Sequence, residues 1–306
     1  MKLITTSVVR GSQQGESHGG LYLIDLQTEQ IDQLLDWNTG NIDWTGRGAD
    51  RGLRGIAFHN ERVYVAASDE LFAYSKNFKL LGSWRNPYLK HCHEIAVFGH
   101  TLFLTSTGFD SILGFNLNTE AFDWGMQAQE NQYRFRAARF DPNSDDGPLM
   151  LNRMHINNVH CTNGGMYISG RRTGGMLHYN GKTITMAVTL PDGTHNAQPF
   201  RDGVLFNDSE AYVVRYTGRG EGNEDRAIEV PTLKDEEMTH LWANDGIVAR
   251  PRFARGLCQI TESIVAGGSS PSTVSVYDLK DNKRMVDVSI SRDVRNAIHG
   301  LEVWPF

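Results

Sequence analysis

Cysteine is scarce in this sequence of 306 residues, and long apolar runs are absent from it. The three cysteines, Cys92, Cys161 and Cys258, fall on segments that have the pattern of buried strands. An odd number of cysteines in such positions favours small packed thiols over disulfide bonds. No run of about 18 apolar residues occurs, and the first residues lack the pattern of a signal peptide. We therefore expect a soluble, cytoplasmic protein with no membrane partner.

An excess of positive charge and the common catalytic motifs are missing as well. The formal net charge is -6, and aromatic residues do not alternate with basic runs, so nucleic acid is not an expected partner. There is no Gly-rich phosphate loop followed by Lys-Ser/Thr, no GxSxG elbow, no HExxH pair and no CxxC pair. These absences argue against P-loop nucleotide hydrolases, α/β-hydrolases and metalloproteases of the HExxH type.

What the sequence does contain is a short phrase that recurs six times. In each copy a polar residue is followed by a small or polar residue and then, in most copies, by an aliphatic one. The copies follow one another at intervals of roughly 40 or 60 residues, and a repeat of about 40 residues with insertions is typical of a β-propeller, in which each repeat forms one four-stranded blade. The six copies begin at Arg54, His93, Asn157, His195, Arg255 and His299.

The fold prediction is an all-β, six-bladed β-propeller that forms a single domain over residues 1–306. Alternating segments between turn residues predict the strands, for example Arg62–Ala67 and Thr101–Ser106. The N-terminal segment is one strand short of a blade, and a C-terminal strand over residues 297–304 supplies it, which closes the ring. The predicted blades cover residues 297–306 with 1–37, 53–85, 91–126, 155–190, 195–232 and 253–292.

Three insertions between blades are predicted to form lids over one mouth of the channel. They cover residues 38–52, 127–154 and 234–252, and loops of this length in a compact domain are usually functional or disordered. The insertion at 127–154 carries Arg134, Arg136 and Arg139, so we expect it to be ordered and to face the pocket. A solvated basic loop is the alternative.

Histidines occupy the first position of the repeated phrase on alternate blades. His93, His195 and His299 would therefore project toward one axis and form an open site for a divalent transition metal, namely Zn, Fe, Mn or Cu. The alternative is that each histidine forms hydrogen bonds in the core and binds no metal.

Arginines and further polar residues accompany these histidines. Arg54 and Arg255 lie on the two blades that flank His299, and their planar guanidinium groups suit a carboxylate or an oxyanion. We therefore predict a small anionic molecule as the partner, and the alternative is that each arginine pairs with an acid such as Glu94. Glu94 and His155, with Arg54 and Arg255, are the predicted catalytic residues. The predicted substrate-binding residues are Arg54, Arg255, Asn157, Asn158, Asn196, Arg171 and Arg172.

Several longer phrases carry a resemblance to a known family. The phrases are HCHEIAVFG, RMHINNVHC, THNAQPFRDGVLFNDSEAYVVRY, ARGL and IHGLEVWP, in this order between about residues 90 and 305. They resemble an uncharacterised family of bacterial six-bladed β-propeller proteins, which implies the fold and the location of the site and no reaction. The plan of the site is also similar to that of multi-His, metal-dependent propeller lyases and, less closely, of carotenoid-cleaving oxygenases.

The leading functional hypothesis is a metal-dependent enzyme that acts on a small carboxylate- or oxyanion-bearing substrate at the propeller axis. The metal would act as a Lewis acid in a lyase, isomerase or hydrolase reaction. One alternative is an iron- or copper-dependent oxygenase at the same histidines. Another is a propeller that binds a ligand or a protein without catalysis, its axial polar residues hydrogen-bonding to trapped water.

Overall fold

The computed structural model describes residues 1–12, 15–37, 52–131, 134–219, 224–243 and 250–306. Within these residues the regular secondary structure is almost entirely β-strand, with three short 3₁₀ helices at Thr107–Phe109, Asp235–Glu237 and Leu241–Ala243. The strands form six antiparallel sheets, one for each predicted blade. The prediction of an all-β, six-bladed β-propeller is therefore confirmed. No helix of the described part is long and apolar enough to cross a membrane.

The strands are numbered along the chain and grouped here by sheet. The first sheet contains β1 (Lys2–Val9), β2 (Gly20–Asp25) and β3 (Gln30–Asp36), and the second contains β4 (Ile56–His59), β5 (Arg62–Ala67), β6 (Glu70–Ser75) and β7 (Leu80–Arg85). The third contains β8 (Ile95–Phe98), β9 (Thr101–Ser106), β10 (Ser111–Asn116), β11 (Ala121–Asn131) and β12 (Arg134–Phe140). The fourth contains β13 (Ile156–Thr162), β14 (Gly165–Gly170), β15 (Gly175–Tyr179) and β16 (Ile184–Thr189), and the fifth contains β17 (Thr194–Phe200), β18 (Gly203–Asp208), β19 (Val213–Thr217) and β20 (Asp225–Glu229). The sixth contains β21 (Leu257–Gln259), β22 (Ile264–Ser269), β23 (Thr273–Asp278) and β24 (Lys283–Ser289), while β25 (Asn296–Val303) joins β1 in the first sheet.

The chain divides into two compact units. The first unit comprises Met1–Arg54 and Phe200–Phe306, and the second unit comprises Gly55–Pro199. The first and sixth sheets lie in the first unit, and the second, third and fourth sheets lie in the second unit. The single domain predicted over residues 1–306 stays a prediction.

The hairpin between β4 and β5 shows how local sequence sets these strands. Asn60 and Glu61 both have positive φ angles, 47° and 58°, which is the combination of a type I′ turn. The twist of such a turn matches the right-handed twist of the strands that it joins. The next six residues, RVYVAA, are buried at five positions, as expected for a strand that is covered on both faces.

Strand β25 completes the first sheet, as the sequence predicts. It pairs with β1 in antiparallel register. Thr5 Oγ1 donates to the carbonyl oxygen of Gly300 at 2.8 Å, and the Gly300 N–H donates to Thr6 Oγ1 at 2.8 Å. Ile298 and Leu301 are buried in the apolar core beside the sheet. The last strand therefore covers the edge of β1 and contributes to the core.

The insertion at residues 127–154 is not a lid loop over its first half, and this part of the prediction is wrong. Strand β11 continues to Asn131, and β12 returns beside it as a fifth strand on the outer edge of the third sheet. The reason is the alternation of the sequence, because Phe135 and Ala137 pack against an apolar core while Arg134 and Arg136 are exposed. The expected position of these arginines at the pocket is therefore corrected to an outer hairpin.

The other two insertions are described only in part. Residues 38–51 of the first lie outside the described residues, and so do residues 244–249 of the last. The described part of the last insertion contains two 3₁₀ helices, and Thr239 forms an isolated bridge with Asp293.

Candidate functional site

The predicted site residues divide between the two units. Arg54, Arg255 and His299 belong to the first unit, and the others belong to the second. They lie on strands β13, β17 and β25 and in the segments next to strands β4, β8, β13, β14 and β21. The others are His93, Glu94, His155, Asn157, Asn158, Arg171, Arg172, His195 and Asn196.

In the second unit, hydrogen bonds fix the tautomers of His93 and His195. His93 Nδ1 lies 2.8 Å from the carbonyl oxygen of His91, and His195 Nδ1 lies 2.8 Å from that of Gly193. Because a carbonyl oxygen only accepts, each Nδ1 carries the proton. In its neutral form each ring therefore presents Nε2 as its acceptor atom. A histidine that binds a metal through Nε2 has this arrangement.

The contacts of Thr107 also indicate that His93 Nδ1 carries the proton. Its Oγ1 lies 2.8 Å from His93 Nδ1 and donates its own hydrogen to the carbonyl oxygen of Ile156 at 2.5 Å. Oγ1 is thus an acceptor toward the ring. His155 packs edge-on against His93, with 5.4 Å between the ring centroids, and His155 Nδ1 lies 3.0 Å from Asn152 Oδ1. The two imidazole rings are therefore in contact, and the Nδ1 atom of each lies within hydrogen-bond distance of a neighbouring group.

The predicted asparagines of the second unit hold neighbouring strands together. Asn157 Nδ2 donates to the carbonyl oxygen of Thr194 at 3.2 Å, and Asn158 Nδ2 donates to that of Ala197 at 2.7 Å. Both bonds join β13 to β17, so these side chains have a structural role that the sequence analysis did not assign. Asn157 is buried, and within the described residues its Oδ1 has no hydrogen-bond partner. A buried amide oxygen of this kind usually meets a water or a ligand.

Glu94 and Asn196 meet across the second unit. Asn196 Nδ2 donates to Glu94 Oε1 at 2.9 Å. Glu94 follows His93 directly and Asn196 follows His195, so the contact joins two copies of the repeated phrase. The predicted catalytic role of Glu94 stays a prediction.

Asp110 orders the loop that carries His155, and the sequence analysis did not select it as a site residue. Its carboxylate accepts the backbone N–H groups of Arg153, Met154 and His155 at 2.6, 3.1 and 2.9 Å. Burial raises the pKa of Asp110, and these backbone hydrogen bonds lower it by less. Asp110 precedes Arg153 by 43 residues along the chain, so no local pattern in the sequence connects it to this loop.

Arg172 also holds this loop. Its Nε donates to the carbonyl oxygen of Arg153 at 2.7 Å, and an Nη donates to that of Asn152. The guanidinium group is therefore engaged with the backbone through Nε and one Nη, and its predicted role in binding a substrate stays a prediction. Arg171 is exposed, and its role stays a prediction.

In the first unit, Arg255 contacts the histidine that it was predicted to accompany. Arg255 Nη1 lies 3.1 Å from His299 Nε2, and since an arginine only donates, Nε2 accepts and the ring is neutral. The hydrogen bond occupies the lone pair that a metal would need at Nε2. The carbonyl oxygen of Arg54 accepts from Thr6 Oγ1 at 2.5 Å. His299 does not fit the role of third metal ligand in this arrangement.

Three arginines of the first unit converge on one aromatic ring. The guanidinium carbons of Arg10, Arg250 and Arg255 lie 5.0, 4.4 and 4.5 Å from the centroid of Phe253. We refer to these three arginines and Phe253 as the arginine cluster. Arg250 also forms an ion pair with Glu210 at 3.0 Å. The run RPRFAR at residues 250–255 was the sequence signal for this cluster, but Arg10 is far from it along the chain.

The described residues include no complete set of ligands for the metal that the sequence predicts. Across the described ranges, no group of three or more His, Cys, Asp or Glu side chains is arranged to hold a metal ion. The three-histidine centre stays a prediction, and the tautomers of His93 and His195 suit a metal. A divalent metal stays a prediction.

Glu302, on β25 of the first unit, should make the stability of the protein depend on pH. Burial raises its pKa from 4.5 to about 8, and Cys258, whose own pKa burial raises, interacts with it. The folded state thus keeps a proton that the unfolded state loses. The stabilisation is fully present below the unfolded pKa and is lost as the pH rises through the folded value.

We expect the melting temperature of the wild type to fall between about pH 5 and pH 9, and Glu302→Gln, which cannot ionise, to show a clearly smaller fall. Thermal unfolding in a series of buffers measures both slopes. Equal slopes in the two proteins would show that Glu302 is not the group responsible.

Comparison with known proteins supports the fold and adds no function. No protein-family model matches the chain, and no curated protein matches its sequence. A protein of unknown function from Bacteroides caccae is similar in structure, with a TM-score of 0.58 and 10% identity over 98% of this chain and 97% of that chain. A chain of the Nidogen/Laminin complex has a TM-score of 0.56 and 12% identity over 98% and 97% of the two chains. At these identities the likeness shows the propeller fold alone, and membership of the bacterial family named above stays a prediction.

Proposed function

We propose that the protein binds a small anionic molecule, carrying a carboxylate or another oxyanion, at the arginine cluster of the first unit. The observation that carries the proposal is the convergence of Arg10, Arg250 and Arg255 on Phe253. Like charges held this close repel one another, and a bound anion would offset the repulsion. Glu210 forms an ion pair with Arg250 at 3.0 Å.

The contacts of Arg255 hold its guanidinium group in one position, which favours the binding of an anion. The ring of Phe253 lies against its guanidinium group, and His299 Nε2 accepts from Nη1, so the group is held on two sides. A held guanidinium group loses little freedom when it binds, and its parallel N–H groups match the two oxygens of a carboxylate. Stacking on an aromatic ring does not use these in-plane donors. Arg255 is therefore the residue on which we expect binding to depend most.

The strand order supports the same location. Strand β1 ends at Val9, next to Arg10, and Val9 pairs with Asn296 at the start of β25. Arg10 N–H donates to the carbonyl oxygen of Arg295 at 3.0 Å. Arg10 thus lies at the end of the first sheet at which the inner strand begins. Elimination, isomerisation or hydrolysis of the bound molecule stays a prediction from the sequence.

Calorimetric titration with D-gluconate, citrate and inorganic phosphate tests this proposal, and sorbitol serves as an uncharged match for gluconate. We expect at least one anion to bind saturably and sorbitol not to bind. Arg255→Gln should weaken the binding by about tenfold or more, because a charge-assisted hydrogen bond contributes about 1.5–3 kcal/mol.

Arg201→Gln is the matched control. Arg201 also stacks on aromatic rings, 5.4 Å from Phe200 and 5.5 Å from Tyr216, but it lies in the turn between β17 and β18. We expect its affinity to stay within about twofold of the wild type. Equal affinity in the wild type and Arg255→Gln, or binding of none of the three anions, would contradict the proposal.

A second candidate is a divalent metal held by Nε2 of His93 and His195 in the second unit. The tautomers of these two rings favour it, since each donates Nδ1–H to a backbone carbonyl. A metal bound there would supply a Lewis acid. Elemental analysis of protein purified without chelator, compared with His195→Ala, decides this candidate.

A further inference from the structure

A pocket of about 350 Å³ lies in the second unit, and its lining includes none of the predicted catalytic, substrate-binding or metal-binding residues. Its walls come from the third and fourth sheets, including Phe103, Trp124, Arg139 and Tyr179, and from the turns at residues 162–165 and 180–181. A volume of this size is in the range of small-molecule sites, about 300–1,000 Å³. The pocket does not depend on the arginine cluster of the first unit.

The pocket is built from aromatic rings in fixed contact. Trp124 lies edge-on to Phe103, with ring centroids 5.4 Å apart, and its centroid is 6.4 Å from that of Tyr179. Gly165, with a φ of +131°, closes the wall beside Tyr179, where a Cβ would lie 2.5 Å from the Tyr179 carbonyl oxygen. Rings held in this way offer flat apolar surfaces and edges to a planar ligand.

One lining side chain is a cation. The guanidinium carbon of Arg139 lies 4.3 Å from the Trp124 ring, and Arg139 Nε donates to the carbonyl oxygen of Gly125 at 3.0 Å. Among the residues that the structure describes, Arg139 forms no ion pair with an acid. Burial raises the pKa of Cys161, also in the lining, to about 12, so its thiol is neutral. The lining therefore has one positive charge and no negative one.

We propose that this pocket binds a small planar aromatic molecule with one negative charge, such as an aryl carboxylate. The rings would pack against the aromatic part, and the Nη groups of Arg139 would donate to the carboxylate oxygens. Backbone and Asn163 amides at the rim would complete the polar end. A neutral sugar or a cation would leave the charge of Arg139 without a partner in the pocket.

Three probes of one shape test the proposal. These are 2-naphthoate, the neutral 2-naphthamide and the cationic 2-naphthylmethylamine, each titrated against the full chain by ligand-observed NMR. We expect 2-naphthoate to bind saturably and at least about tenfold more tightly than the other two. This comparison uses the wild type alone and does not depend on the folding of any variant.

Arg139→Gln and Trp124→Leu locate the binding. Each substitution should weaken the binding of 2-naphthoate by about tenfold. Arg139→Gln should keep its affinity for 2-naphthamide within about twofold of the wild type, which would show that the pocket is intact. Arg136→Gln is the matched control, because it removes the same charge from the other face of β12. It should leave the affinity for 2-naphthoate unchanged. No saturable binding of 2-naphthoate, equal binding of the neutral amide, or an unchanged affinity in Arg139→Gln would overturn the proposal.

Discussion

Removal of residues 296–306 abolishes cooperative folding, and this is the largest effect that we expect. The deletion takes away β25 and leaves the inner edge of β1 without its partner strand. It also removes Ile298 and Leu301 from the core, and each buried side chain of this size contributes about 1.5–3 kcal/mol. Thr5 and Thr6 lose their hydrogen bonds to Gly300. The sum is comparable with the whole stability of a typical domain, about 5–15 kcal/mol.

Circular dichroism and calorimetry on the truncated chain measure this effect. Removal of Pro305 and Phe306 alone is the control, because these residues follow the strand and are exposed. We expect the control to melt within about 2 °C of the full chain. A soluble chain without residues 296–306 that melts in one cooperative transition would show that closure by β25 is dispensable.

Asp110→Ala is expected to cost about 3 kcal/mol or more. Its carboxylate accepts three backbone N–H groups of the loop at residues 153–155, and leaving a buried donor unsatisfied costs about 1–3 kcal/mol. The loss should appear as a fall of several degrees in melting temperature, at roughly 2–4 °C per kcal/mol for a chain of this size class.

Two further variants separate the role of Asp110 from a general effect of removing an acid. Asp110→Asn keeps one acceptor oxygen and should lose less stability than Asp110→Ala. Asp123→Ala removes an exposed acid that accepts a hydrogen bond from Asn116 Nδ2, and it should change stability by less than about 0.5 kcal/mol. If Asp110→Ala has the same melting temperature as the wild type, the loop does not depend on this carboxylate.

The fold could be predicted from the sequence because its signals are local. The strands Arg62–Ala67 and Thr101–Ser106 have the bounds that alternation and turn residues indicate. The last strand could be assigned because the repeated phrase occurs there once more. The hairpin of β11 and β12 was missed although it alternates too, because the expectation of four strands per blade took precedence over the pattern of residues 127–140.

The candidate site could be predicted only as a set of residue types. Alignment selected Arg255 and His299, but the hydrogen bond between them depends on how two strands from different repeats lie together. Arg10 joins the arginine cluster from the other end of the chain, and no spacing in the sequence connects it to Phe253. The backbone carbonyl bonds that fix His93 and His195 depend on backbone geometry in the same way. Partners and tautomers are properties of the folded chain.

The arginine cluster is the centre of the functional account, and an anomalous-diffraction measurement tests it most directly. Crystals of the wild type and of Arg255→Gln would be soaked in selenate, whose selenium locates the bound anion. We predict a peak within hydrogen-bond distance of the guanidinium groups of Arg255 and Arg10 in the wild type, and its loss in the variant. A peak of equal height in both crystals, or selenate bound elsewhere on the protein and not at these arginines, would contradict it.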